Sequence, residues 1–175
     1  MSESDVRSTR LVLVAHCILN QNARASGIAK RVCALEEVIH FLLSQGYGLI
    51  QLPCPELLYK GVDRPPASKP EYDTPEFRSF CSKLAKLVIE QILIFANRGY
   101  KVVGIIGVEH SPTCATSLIP IDRNDLSLYN CGRGIFMEEL EKTLASKGMK
   151  IPMIGVFASK DRAVENLQIL KRSLA

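Results

Sequence analysis

The chain has no tryptophan, and Phe and Tyr together make up 6% of its 175 residues. So few aromatics do not furnish the stacking platforms that single-stranded nucleic-acid binders use. Nor is charge of one sign concentrated: 22 basic and 18 acidic residues are interspersed along the chain, for a net charge of +4. That balance argues against a nucleic-acid partner, while leaving room for a modest basic rim around an anionic ligand. Long apolar runs are missing as well. The most apolar helical stretch, LAKLVIEQILIFA, is interrupted by Lys86, Glu90 and Gln91, so no membrane partner is expected. The opening MSESDVRSTR is polar and carries acidic residues, unlike a secretory or transit peptide, and the expected location is cytoplasmic.

What the chain does have is six cysteines. In a reducing compartment these read as thiols or metal ligands rather than disulfides. The length suits one domain over residues 1–175, with residues 1–9 as a flexible lead. RLVLVAH, GLIQLP, KVVGIIGVE and IPMIGVF are short runs, apolar on both faces, as strands of a covered parallel sheet are. Between them lies helical spacing. Val32, Leu35, Ile39 and Leu42 share a face before Gly46. Thr74 and Pro75 open a second helix, whose inward positions include Phe77, Phe80, Leu84, Leu87, Val88 and Phe95. A third covers residues 134–147, and a fourth follows Ser159 with Leu167 and Leu170 inward.

Strands alternating with helices imply an α/β fold: a three-layer, doubly wound parallel sheet of about four strands in the order 2-1-3-4, Rossmann-like or flavodoxin-like. The long segments at residues 55–73 and 115–132 then read as binding loops at the carboxyl ends of strands. Ligands of such sheets bind beyond those ends, where the strand order reverses. Cys17 follows the first strand, Cys54 the second and Cys114 the third. With strands about 4.8 Å apart, three such thiols can converge on one small object.

The residues alone leave several occupants open. Zinc would need a fourth ligand, for which His16 and His110 are available. Three thiolates with an open position also suit a 4Fe-4S cluster whose unique iron binds substrate. One cysteine acting as a nucleophile beside a histidine needs no metal, and plain buried thiols are the fourth reading. Cys33 and Cys81 read as small buried hydrophobes in helices, and Cys131 in NCGRG as a neighbour of the cleft. The same NCGRG offers backbone amides to an anion at a helix start.

The segments CILNQNARASG, LPCPELLYKG, RPP, SPTC and GRGIFMEEL resemble, in order and over nearly the whole chain, the 2-thiouracil desulfidase family, TudS. The resemblance implies Cys17, Cys54 and Cys114 as ligands of a 4Fe-4S cluster and C–S bond cleavage without redox change. Its substrate would be a small thiolated molecule such as a thionucleobase. The chain departs from the family where an acidic residue gives way to Ala25-Ser26-Gly27, and where a glycine gives way to Asn20. It reads as a divergent member.

Sulfur removal needs a proton acceptor for attacking water, for which Glu56 is the first candidate and Glu109 the second. Ser111 is placed to hydrogen-bond substrate or a cluster sulfide. Asn20, Asn22, Arg24 and Arg64 are the candidate substrate-reading groups. His16 and His110, one residue from the motifs, are expected to point to the opposite face of an extended chain. A homodimer is compatible with all of this. The competing function is a non-catalytic zinc or iron-sulfur module with a structural or sensing role.

Overall fold

In the computed structural model, residues 5–122, 124, 125 and 127–174 are described. Four parallel strands form the main sheet: β1 (Arg10–Val14), β2 (Gly48–Gln51), β3 (Lys101–Val108) and β6 (Met153–Val156). Their order is β2-β1-β3-β6, the expected 2-1-3-4 pattern of main strands. Val12 pairs with Leu49 on one side and Gly104 on the other, and Ile106 pairs with Ile154. Central strands β1 and β3 are covered on both faces, which is why both read as continuous apolar runs.

The covering helices come in pairs. Helix α2 (Glu36–Ser44) packs with α7 (Ala163–Ser173), and α5 (Pro75–Ala96) packs with α6 (Ile135–Ser146). Thr74 caps α5 as expected, its hydroxyl accepting from Phe77 N at 3.2 Å. Cys81 is fully buried in that helix.

Some expectations fail. Residues 31–33 form bends, so helix α2 starts at Glu36, leaving Val32 and Cys33 exposed. The reason is local pairing: Cys33 O accepts from Gln21 N, and Leu35 N donates to Ile18 O, so this backbone is bonded to the first loop rather than to itself. Leu87 lies on the outer face of α5 and is exposed. The two long loops also carry structure. The first contains α3 (Pro55–Lys60) and α4 (Lys69–Tyr72), and the second the antiparallel hairpin β4 (Leu118–Pro120) and β5 (Tyr129–Cys131). Cys131 is exposed on that hairpin and does not reach the cleft. Met1 to Ser4 of the expected flexible lead lie outside the described residues. No helix among the described residues is long and apolar enough to cross a membrane.

Candidate active site at the strand ends

β1 runs straight into α1 (His16–Leu19), a single helical turn that places Cys17 over the strand end. Cys54 is the N-cap residue of α3, with Pro55 in the first turn. Cys114 closes a turn that folds back onto β3, where Val108 N donates to Cys114 O at 3.1 Å. A Cβ on Gly107 would stand 2.1 Å from Cys114 O, and one on Gly134 2.3 Å from the Thr113 carbonyl carbon. Glycine at both positions is what lets strand and helix approach this turn so closely.

The turn in return caps α6. Pro112 O accepts from Ile135 N, and Thr113 O from Phe136 N and Met137 N, while Ala115 O accepts from Gly134 N and Ser117 O from Gly132 N. The amides expected to be free for an anion at NCGRG are therefore engaged by the cysteine turn and the segment after it.

Cys17, Cys54 and Cys114 line one cavity of about 370 Å³. Burial is the main cause that pushes all three thiols up, Cys54 to about 12. They also act on one another: a charge on Cys17 raises Cys54, and charges on both raise Cys114. Thiols in this position ionise together only if positive charge is placed among them, which is what a metal centre supplies. Among the described residues, no three His, Cys, Asp or Glu side chains are grouped to hold a single metal ion. A lone zinc ion, with sulfurs about 2.3 Å away, thus finds no ready-made tetrahedron. A donor set of three thiols around one cavity, two of them buried and Cys17 half-buried, fits a larger iron-sulfur group.

Beside the thiols sits Glu56. Its Oε1 accepts from Thr113 Oγ1 at 2.6 Å and from Ser111 Oγ at 3.3 Å, and its Oε2 lies 3.5 Å from Arg64 Nε. Ser111 Oγ itself accepts from Thr113 N and Cys114 N, at 3.2 and 3.0 Å. The guanidinium of Arg64 is buried and donates to Ala23 O at 2.6 Å and Gly61 O at 3.0 Å, with Nη2 3.9 Å from Cys54 Sγ.

Searched against known proteins, the chain matches no family model. It is 39% identical over 149 residues to the uncharacterized protein MJ0003 of Methanocaldococcus jannaschii, covering 85% of this chain and 86% of that one. The chain belongs to the MJ0003 family. Among solved structures it is similar to a 4Fe-4S-dependent thiouracil desulfidase, TudS. That likeness spans 93% of this chain and 99% of the desulfidase, with a TM-score of 0.51 and 19% identity. At that identity it establishes a shared fold.

Within this MJ0003-family fold, the remaining sequence candidates separate by position. Arg24 and Arg64 line the cavity. Asn20 and Asn22 do not: both are exposed, and Asn20 Oδ1 accepts from Asn22 N at 3.1 Å, closing the turn instead. Glu109 reaches the cavity wall, but its carboxylate accepts from Thr116 Oγ1, Ser117 N, Ser117 Oγ and Leu118 N at 2.6 to 3.2 Å. It pins the strand end to the hairpin.

Both histidines line the cavity rather than pointing away from it. His16 begins a helix instead of extending a strand, with Nδ1 3.0 Å from Gln51 Nε2. His110 has φ 64°, and its ring stacks on Tyr129 with centroids 3.6 Å apart. Burial lowers the pKa of each. Tyr129 and Phe157 are wall residues that sequence reasoning missed, as is Thr113, buried behind the wall with its hydroxyl on Glu56. Thr113 lay within SPTC and was open to discovery, whereas Tyr129 and Phe157 come from segments with no motif.

Proposed function

We propose that this protein is an iron-sulfur-dependent desulfidase that removes sulfur from a small thiolated molecule such as a thionucleobase. The observation that carries the reading is the set of three thiols lining one cavity, Cys54 and Cys114 buried and Cys17 half-buried, with Glu56 held beside them and its acceptor oxygens oriented. The name of the structural neighbour supports it. When bound, a 4Fe-4S cluster held by Cys17, Cys54 and Cys114 supplies a thiophilic Lewis acid with one iron free of protein ligands.

The chain's own groups do the rest. The reaction balances as thiocarbonyl plus water giving carbonyl plus hydrogen sulfide, with no change of redox state. Glu56 takes the proton of the attacking water. Thr113 and Ser111 fix its Oε1, and the Arg64 guanidinium faces its Oε2 at 3.5 Å. Ser111, in turn, is held by two amides and orients toward the same carboxylate. The apolar wall around His110, Tyr129 and Phe157 receives a flat ring and limits bulk water.

Anaerobic reconstitution with iron and sulfide should give roughly four irons per chain and a broad visible absorbance. Incubation with 2-thiouracil should then release sulfide, and each of Cys17→Ala, Cys54→Ala and Cys114→Ala should abolish release while remaining folded by circular dichroism. Only trace iron uptake by folded protein, or undiminished turnover in any of the three variants, would remove the basis for this reading.

A further inference from the structure

The acidic groups of the cavity are all engaged. Glu56 receives two hydroxyls and faces Arg64, Glu109 receives four donors, and Asp161 accepts from Ser159 Oγ. Two of the cations are engaged too. Arg64 donates to two carbonyls, and its buried Nε, though not hydrogen-bonded, pairs in charge with Glu56 at 3.5 Å; Arg162 pairs with Glu165 while lying over the Phe157 ring. Arg24 is different. It lines the cavity, its Nε is buried without a hydrogen-bond partner, and it forms no ion pair among the described residues. It shares the cavity with the three cysteines and with the His110, Tyr129 and Phe157 wall.

A buried guanidinium nitrogen without an acceptor is uncommon in native proteins, because the desolvation it suffers goes uncompensated. A bound acceptor restores the balance. The planar fork of arginine matches a carboxylate with two parallel hydrogen bonds. Size decides between oxyanions. The cavity is at the small end of ligand pockets and is shared with whatever the three thiols hold. A carboxylate enlarges a pyrimidine ring slightly, whereas a ribose phosphate more than doubles it.

We infer that the substrate is a thiolated ring bearing a carboxylate, which Arg24 receives while the sulfur faces the three cysteines. The inference rests on the desulfidase reading, but it is testable without turnover by titrating sulfur-free product analogues into the metal-free chain. The probes are uracil, 6-carboxyuracil and uridine 5′-monophosphate, titrated calorimetrically into the full-length protein.

The expected result is that 6-carboxyuracil binds roughly tenfold or more tightly than uracil, the strength of a charge-assisted pair. Arg24→Gln should erase that advantage and Arg24→Lys should keep part of it, with thermal melting unchanged in both. Equal binding of the first two probes overturns the inference, as does an advantage that survives in Arg24→Gln or the absence of binding by all three. Tightest binding of the monophosphate overturns the carboxylate and assigns Arg24 to a phosphate. No sulfide release by the iron-loaded protein from either 2-thiouracil or 6-carboxy-2-thiouracil, with the 6-carboxyuracil preference intact, would sink the desulfidase reading alone.

Discussion

Two glutamates near the same cleft show how a residue's partners decide its role. Glu56 has two hydroxyls and one guanidinium, and it faces the cavity beside the thiols. Glu109 has four donors from one loop and is 5% exposed. Glu56→Gln should lower turnover by about 10²- to 10⁴-fold, the size of effect seen when a general base is lost, in protein that remains folded at the assay temperature. Glu109→Gln should do the opposite, destabilising the fold by about 1–3 kcal/mol because its amide group turns donors toward donors. Steady-state sulfide release and urea unfolding on both variants would separate the two roles. A Glu109→Gln chain of native stability would show the hub to be unimportant.

Among the elements, the cysteine turn and α6 form one device. The turn's carbonyls satisfy the orphan amides of the helix, and Gly134 admits the contact. Gly134→Ala forces a methyl group to within 2.3–2.7 Å of the Thr113–Cys114 backbone. Since backbone cannot swing aside as a side-chain tip does, the turn must shift, at a cost of about 1–3 kcal/mol. Iron uptake on reconstitution should fall with it, because Cys114 moves with the turn. Uptake equal to wild type, measured by colorimetric iron assay, would show that the turn tolerates the methyl. The same docking engages the Gly132 and Gly134 amides of NCGRG, a point hidden from composition and spacing.

Across the whole molecule, Arg64 is the tie. One buried side chain bonds the loop after β1 through Ala23 O and its own loop through Gly61 O, and it faces Glu56 on α3. Arg64→Gln leaves the carboxylate without its cation and two carbonyls without donors, and should destabilise the fold by about 3 kcal/mol. Chemical unfolding of the metal-free chain measures this directly, and a loss below a few tenths of a kcal/mol would mean that the loops are held by other contacts. The sequence marked Arg64 as a substrate reader; burial makes it first a structural cation.

The strands, their order, the capped start of α5 and the three strand-end cysteines were all determined by the sequence alone. Each depends on local periodicity, on a side chain bonding its neighbour, or on the rule that parallel sheets bind at their carboxyl ends. Tertiary structure alone decided which polar groups face the cavity. It turned His16 and His110 inward through a helical turn and a left-handed residue, and it closed Asn20 and Asn22 on themselves. It also tied up Glu109 and left Arg24 Nε without a hydrogen-bond partner among the described residues. Those outcomes depend on hydrogen bonds between segments distant in sequence, such as Thr113 with Glu56, which no local pattern specifies.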